Sequence, residues 1–136
     1  MIQEFRLPIR VYYEDTDAAG IVYHANYLRF MERARTEWLR RLGFEQDALA
    51  RHHQLAFVVR SASLEFVRPA RFNDALVASC RVARCGRASV EFVQEILHEN
   101  GTLLCRGDVR VGCVNYRAMS AMRMPDEIFS RIKHAC

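Results

Sequence analysis

Apolar and polar side chains alternate along five stretches of the chain, and a period of two residues predicts β-strands. One face of each stretch is mainly apolar, as Leu76 and Ala78 illustrate. Pro8 confines the first stretch to a sheet edge or a strand start, because proline cannot donate to the ladder. Asn100-Gly101 predicts a tight hairpin between the last two stretches. The predicted strands cover residues 5–13, 55–68, 75–85, 88–97 and 103–115.

A helical period replaces the alternation between residues 25 and 42, and it predicts the longest helix of the chain. Gly43 is suited to end this helix, and arginines in its last turn complement the helix dipole. A single strong apolar stripe requires that the helix lies against a large apolar surface. Shorter helices are predicted over residues 45–52 and from Pro125 to Ile132. The stripe consists of Tyr27, Phe30, Met31, Ala34, Trp38 and Leu42.

The order of these elements is strand, long helix, four strands and short helix, without repeats, linkers or low-complexity sequence. This order predicts one domain over residues 1–136 with an α+β fold, in which a five-stranded antiparallel sheet carries one apolar helix. Such a sheet leaves open edges and an uncovered face. Both features favour self-association, for example through an edge-to-edge dimer.

Arginine supplies almost all of the positive charge, because Lys133 is the only lysine in a chain of net charge +4. The guanidinium group forms bidentate contacts with phosphates and carboxylates, so this composition is compatible with an anionic ligand. It is equally compatible with a solvated surface of salt bridges. No block of like charges resembles a nucleic-acid-binding arm, so nucleic acid is not an expected partner.

Five cysteines, an odd number without a Cys-x-x-Cys pair, lie mostly in apolar strand-like stretches. This pattern predicts small buried side chains in a reducing compartment. The first residues lack the charged-then-apolar pattern of a signal peptide, and no apolar run is long enough to cross a bilayer. The expected location is therefore the cytoplasm. Neither the cysteines nor His52-His53 have metal-ligand spacing, so no metal is expected.

The loop between the first strand and the long helix combines a carboxylate, Gly20 and a histidine beside a helix start. Amides at a helix N-terminus lack intrahelical acceptors, so such a site suits an anion or a developing oxyanion. Asp17 is interpreted either as a turn residue or as a carboxylate that attacks a carbonyl or activates water. His24 is a cap residue, a half-buried imidazole or an acid–base partner. Tyr13 is a core residue or a phenol that orients a partner.

The stretch Tyr13–Tyr27 resembles the signature of the hydroxybenzoyl-CoA thioesterase family. The segment Glu32–Glu37 is similar, more narrowly, to the Tol-Pal-associated acyl-CoA thioesterases of that family, and Phe57–Arg60 and Pro69–Arg71 add to the similarity. The resemblance covers essentially the whole chain. It implies a hot-dog fold, in which a curved sheet wraps the long helix, and dimers that usually pair again into tetramers. The implied reaction is hydrolysis of an acyl-CoA thioester to a free acid and coenzyme A, without a metal or other cofactor.

Carried over residue by residue, the resemblance makes Asp17 the catalytic carboxylate, as a nucleophile through an anhydride or as a base for water. His24 and Tyr13 correspond to the assisting positions, and the backbone amide of His24 is the implied oxyanion donor. A helix N-terminus stabilises negative charge on the thioester oxygen, which agrees with this assignment. Glu32 is the alternative carboxylate, because another branch of hot-dog thioesterases carries its carboxylate on the central helix.

Two sets of residues are candidates for substrate binding, and both have plainer interpretations. Arginines at or beside strand ends suit the phosphates of coenzyme A, although exposed arginines are common on any surface. Apolar residues suit an acyl pocket between the helix and the sheet of two subunits, although each also suits the core. The phosphate candidates are Arg60, Arg84 and Arg87, and the acyl candidates are Tyr27, Phe30, Met31, Phe57 and Val59.

Two other functions stay open at this point. A hot-dog hydratase or dehydratase would act on a β-hydroxyacyl chain with a His/Asp pair, although the loop lacks the pattern expected for one. A non-catalytic scaffold would bind acyl carrier protein and envelope or phospholipid-synthesis partners, as the family's association with Tol-Pal genes implies. The sequence does not distinguish coenzyme A from acyl carrier protein as the carrier, or a dimer from a tetramer.

Overall fold

The computed structural model describes residues 4–136, and the predicted elements are present with shifts of up to three residues at their ends. None of the described helices is both long and apolar enough to cross a membrane. The helices are α1 (Asn26–Arg41), α2 (Gln46–His53) and α3 (Asp126–His134). The strands are β1 (Phe5–Arg10), β2 (Leu55–Phe66), β3 (Ala75–Cys85), β4 (Ser89–His98), β5 (Leu103–Asn115) and β6 (Ser120–Ala121).

One antiparallel sheet contains these strands in the order β1-β3-β4-β5-β2, with β6 added beside β5. The prediction of five strands missed β6, because two residues are too few to show an alternation. β3, β4 and β5 form consecutive hairpins, and the second hairpin turns at Asn100-Gly101 as predicted. β1 and β2 are the edge strands, so no strand of the described residues pairs with one side of β2 along its 12 residues.

The core face of the sheet follows the predicted alternation. Every second residue of β3 and β4 is buried on the side of α1, and β5 contributes Val109, Val111 and Cys113 to the same face. The residues that β3 and β4 bury are Leu76, Ala78, Cys80, Val82, Val90, Phe92, Gln94 and Ile96.

α1 packs its apolar stripe on this face of the curled sheet. Phe30 and Met31 are completely buried, and the Trp38 ring meets Phe92 edge-on with centroids 5.2 Å apart. A Cβ at Gly107 in β5 would lie only 2.9 Å from Sδ and Cε of Met31. The missing side chain at Gly107 therefore leaves room for the end of the Met31 side chain between α1 and the sheet.

Gln94 ties α1 to the sheet from inside the core. Its Nε2 donates to the Met31 carbonyl at 3.0 Å and to the Ser79 carbonyl at 3.2 Å. Its Oε1 accepts a hydrogen bond from Arg35 Nη1 at 2.9 Å. A buried amide without partners is costly, so these bonds explain how a polar residue occupies a core position.

β1 ends at Arg10, so the prediction that it continues to Tyr13 was wrong. The Val11 amide still donates to the Asp74 carbonyl at 3.0 Å, in register with the pair of Arg10 and Ala75, and the regular pairing goes no further. The chain then forms a single 3-10 turn over residues 13–15, and the Tyr13 side chain is 81% exposed. Tyrosine favours strands in general, but these local hydrogen bonds override that preference.

Candidate active site

The loop between β1 and α1 is closed by hydrogen bonds between its two arms. Thr16 and Val22 form an isolated bridge, and the Asp17 amide donates to the Ile21 carbonyl at 2.9 Å. The turn between the arms requires Gly20, whose φ of +79° lies in a region that residues with side chains rarely adopt. These bonds hold Asp17 in a defined place.

Asp15 fastens this loop to the first turn of α1. Its carboxylate is buried, Oδ1 accepts a hydrogen bond from Asn26 Nδ2, and Oδ2 accepts one from the Tyr12 amide, each at 2.8 Å. The Asp15 carbonyl also accepts from the Tyr23 amide at 2.9 Å. Sequence reasoning did not single out Asn26. The available signal was an amide at the start of an apolar stripe, where a buried polar group needs a partner.

The Asp17 carboxylate is exposed and only partly engaged. Its Oδ1 accepts a hydrogen bond from the Ala19 amide at 2.9 Å, which is the Asx turn that the plainer interpretation expects. No donor within residues 4–136 bonds its Oδ2. The two interpretations of Asp17 are therefore compatible, since one oxygen orders the turn and the other is accessible.

His24 lies just before α1 on an exposed aromatic surface. Its ring centroid is 4.6 Å from that of Tyr23 and 6.3 Å from that of Phe66. α1 begins at Asn26, and the cap residue Ala25 offers no side-chain acceptor. In the described part of the chain, nothing accepts a hydrogen bond from the amides of His24 and Ala25. These amides are at the positive end of the helix dipole, where an oxyanion donor is expected.

A shallow cleft of about 300 Å³ opens beside His24, between the start of α1 and the end of β2. Tyr27 lines this first cleft, and its buried hydroxyl accepts a hydrogen bond from the Ala70 amide at 3.1 Å. Burial raises the pKa of Tyr27 above its ordinary value. Tyr27 is therefore a neutral, fixed wall of the cleft. The other lining residues are Ile21, Val22, Phe66, Val67, Arg68 and Pro69.

Tyr13 shares the loop with Asp17 and His24, but its side chain is turned to another neighbour. Its ring packs on Phe72 with centroids 5.4 Å apart. Within the described range, the Tyr13 hydroxyl makes no hydrogen bond to Asp17 or His24. The role of Tyr13 in catalysis stays a prediction.

A second cleft of about 230 Å³ lies between α1 and the β2 side of the sheet. Phe57 and Val59 line it, whereas Phe30 and Met31 belong to the closed core. Glu32, the alternative carboxylate, is exposed at this cleft and accepts a hydrogen bond from the neighbouring Thr36 at 3.2 Å. The other walls are Arg35, Trp38, Leu39, Gln46, Val90, Phe92, Val111 and Ile132.

The two clefts are separate within one chain. Phe66 meets His24 at the end of β2, and Val59 lines the second cleft seven residues earlier in the strand. At about 3.3 Å per residue, this spacing corresponds to roughly 23 Å. Tyr27 and Phe57, which the sequence assigned to one acyl pocket, therefore line different clefts of a single chain.

The three predicted phosphate ligands have different surroundings. Arg87 donates from Nη2 to Asp126 Oδ1 at 2.7 Å and lies over the Phe129 ring at 4.4 Å, so it holds α3 in place. Its hydrogen bond lowers the pKa of Asp126. Arg60 and Arg84 are exposed and form no ion pair within residues 4–136. Arg87 is already paired, so Arg60 and Arg84 are the more available cations.

The five cysteines are free thiols, and the described residues contain no group of three or more His, Cys, Asp or Glu that could hold a metal ion. Burial raises the pKa of Cys80 and of Cys105 to about 12. These two thiols are therefore protonated at neutral pH and are poor nucleophiles. The loop that carries Asp17 and the helix amides has the more favourable chemistry.

The model of a family described as the Thioesterase-like superfamily matches residues 11–132. The chain is 42% identical over 130 residues to "Acyl-CoA thioesterase YbgC" of Haemophilus influenzae, with 96% of this chain and 95% of that protein covered. It is 44% identical over 129 residues to "Acyl-CoA thioester hydrolase YbgC" of Escherichia coli O6:H1, with 95% and 96% covered. A solved structure of a probable thioesterase from Bartonella henselae has a TM-score of 0.86 at 36% identity, with 90% of this chain and all of that one covered. These similarities confirm the predicted hot-dog fold.

Proposed function

Because this chain belongs to the thioesterase-like superfamily, we propose that it hydrolyses an acyl-CoA thioester to a free carboxylic acid and coenzyme A. The observation that carries the proposal is one loop with the exposed Asp17 carboxylate and, at the start of α1, the amides of His24 and Ala25, which have no acceptor within residues 4–136. A carboxylate and an oxyanion donor are the groups that thioester hydrolysis needs when no metal takes part.

Asp17 acts on the thioester carbon directly or through water. In the first route Oδ2 attacks the carbon, the C–S bond breaks, and water then hydrolyses the mixed anhydride. In the second route Asp17 takes a proton from a water molecule that attacks the same carbon. In both routes the thiolate of coenzyme A leaves with the bonding electron pair and takes up a proton.

The His24 amide and the positive end of α1 stabilise the negative charge that develops on the carbonyl oxygen. One such donor typically lowers the barrier by about 3–4 kcal/mol. The His24 imidazole and the Tyr13 hydroxyl orient water or transfer protons. Arg60 and Arg84 are the proposed ligands of the coenzyme A phosphates, for which their bidentate donors are suited.

We infer that the complete site uses two copies of the chain, joined along the edge of β2. The exposed stretch Val59–Ser63 supports this inference, because unpaired strand edges readily accept another strand. In an antiparallel pairing centred between Ala62 and Ser63, Val59 of one copy would lie opposite Phe66 of the partner subunit. The second cleft of one copy would then adjoin the first cleft of the other copy and its loop between β1 and α1, which carries Asp17.

Three finer proposals accompany this function. The free thiols support a reducing compartment, and hence the cytoplasm. The outer face of the sheet is only half-buried at Val77, Val93 and Leu97, which supports the pairing of two dimers into a tetramer. The narrower resemblance of Glu32–Glu37 to the Tol-Pal-associated acyl-CoA thioesterases supports a functional association with the Tol-Pal system. Acyl carrier protein is the alternative carrier of the acyl group.

Release of free thiol from acyl-CoA substrates of different chain length tests the proposed reaction. Asp17→Asn keeps the Asx turn but removes the nucleophile or base, so kcat should fall at least about a hundredfold. Glu14→Gln, a change at an exposed carboxylate of the same loop, is the control and should change kcat by less than about twofold. Equal turnover by wild type and Asp17→Asn would favour a scaffold. Loss of a β-hydroxyl without thiol release would favour a hydratase.

Mixing two inactive variants tests whether the site is shared between copies. Asp17→Asn removes the carboxylate, and Val59→Glu blocks the second cleft with a charge. If each site takes Asp17 from one copy and Val59 from the other, a mixed dimer has one intact site. Unfolding and refolding an equal mixture should then restore about a quarter of wild-type activity, because half of the dimers are mixed. No recovery from dimers shown to have exchanged would contradict the shared site.

A further inference from the structure

Arg35 brings a positive charge into the otherwise mainly apolar second cleft. Its guanidinium is half-buried, and within residues 4–136 its only hydrogen-bond acceptor is Gln94, a neutral amide. No carboxylate of the described chain lies within ion-pair distance of it. Burial lowers the pKa of Arg35, because the charge has lost part of its water. Glu32 favours the charge of Arg35 only from a distance, so the described chain supplies no carboxylate in direct contact with this partly desolvated cation.

The buried side chain of Gln94 fixes the position of this guanidinium. Gln94 is completely buried and directs its Nε2 to the carbonyls of Met31 and Ser79, so its Oε1 is held toward Arg35. A single acceptor at Nη1 leaves the other N–H groups of Arg35 for the cleft, since arginine carries five. A preorganised cation of this kind loses little entropy when it binds an anion.

The remaining charge in the cleft is Glu32, one helical turn earlier. Glu32 is exposed and accepts a hydrogen bond from Thr36, whereas Arg35 is less exposed and donates a hydrogen bond to the buried Gln94. The cleft is therefore negative near its opening and positive farther in. Apolar side chains form much of the remaining wall, with Trp38, Phe57 and Phe92 among them.

Resting on the hydrolase function and on the two-copy site proposed above, we propose that Arg35 of one copy binds the far end of the acyl group whose thioester lies at the Asp17 loop of the other, and that the substrate is a short acyl thioester with a terminal carboxylate. The apolar walls accept the methylenes or ring of the acyl group, and the guanidinium pairs with its distal carboxylate through charge-assisted hydrogen bonds. The volume of about 230 Å³ is sufficient for a short acyl group. Arg35 is thus a specificity-determining residue that does not touch the reacting carbon.

The test compares two thioesters of equal chain length, adipyl-CoA and hexanoyl-CoA, which differ at their sixth carbon. The ratio of their kcat/KM values is independent of the folded fraction of the enzyme, so a merely structural role of Arg35 does not move it. Wild type should prefer adipyl-CoA by at least about tenfold, and Arg35→Met should remove this preference. Arg35→Lys should retain part of this preference, because lysine keeps the positive charge but lacks the bidentate donor geometry of the guanidinium. Arg29→Met, a change at an exposed arginine of the same helix, should leave the ratio within about twofold.

A wild-type preference for hexanoyl-CoA, or a ratio that Arg35→Met leaves unchanged, would overturn the proposal. Calorimetric titration with adipate separates this failure from a failure of the hydrolase function. Adipate should bind Arg35→Met at least about tenfold more weakly than wild type, whether or not thioesters are hydrolysed. Equal adipate affinities would overturn the role of Arg35 alone, whereas absent thiol release with intact adipate discrimination would overturn only the hydrolase function.

Discussion

Loss of the hydrogen bond between Asp15 and Asn26 should weaken both the fold and the catalytic loop. Asp15→Ala removes the acceptor of two donors, Asn26 Nδ2 and the Tyr12 amide, each 2.8 Å away. A hydrogen bond to a charged group contributes about 1.5–3 kcal/mol, which sets an upper range of about 3–6 kcal/mol for both. The Tyr12 amide is only partly buried, so water replaces part of this loss. We expect the free energy of unfolding to fall by about 2–4 kcal/mol.

A double-mutant cycle with urea denaturation measures this coupling. The fluorescence of Trp38, the only tryptophan, reports unfolding because its side chain is buried. Asp15→Ala, Asn26→Ala and the double variant should give a coupling energy of about 1–2 kcal/mol, as expected for residues in direct contact. Asp47→Ala is the control. Loss of its exposed ion pair with Arg51 should leave the urea transition midpoint nearly unchanged.

A coupling energy below about 0.3 kcal/mol would refute this reasoning, because independent sites scatter by that amount. Turnover gives a second measurement on the folded Asp15→Ala protein. Its kcat should fall, since Asp17 and the His24 amide lose their fixed positions when the loop is released. Lower stability with unchanged kcat would mean that Asp15 supports the fold but not the site.

Two further predictions concern the core. Gly107→Ala adds a Cβ 2.9 Å from the end of Met31 and should cost about 1–3 kcal/mol in the same urea experiment; an unchanged transition midpoint would contradict the tight approach. Burial raises the pKa of Cys80 and of Cys105 from 9.0 to about 12, so their stabilisation is complete below pH 9 and is lost as the pH rises toward 12. Stability should therefore fall in alkali, and less steeply in Cys80→Ala; equal slopes would contradict the assignment to Cys80.

The architecture was predictable because its signals are local. The buried faces of β3 and β4 repeat every second residue, and the stripe of α1 repeats with the helical turn. Gly43, predicted as the helix stop, has a φ of +100°, which explains why glycine is needed there. The prediction for the end of β1 was wrong because the Tyr12 amide bonds the Asp15 side chain and a 3-10 turn forms over residues 13–15, which the alternation of side chains does not reveal.

Some features of the candidate site depend on neighbours in the sequence, and others depend on contacts between distant residues. Asp17 and His24 lie in one continuous stretch, so the resemblance of that stretch to the family signature was enough to select them as candidates. The buried hydrogen bond from Asn26 to Asp15 and the ion pair of Arg87 with Asp126 join residues that no sequence pattern connects. These contacts assign structural roles that the sequence did not predict.

The sequence by itself determined the order of strands and helices, the turn chemistry and the loop that carries the carboxylate, because these depend on neighbours along the chain. Only the tertiary structure decided that Tyr27 and Phe57 line separate clefts and that Arg35 enters one of them held by Gln94. The physical reason is that packing and desolvation depend on segments far apart in sequence. Their effect on a side chain becomes defined only when the sheet closes around α1.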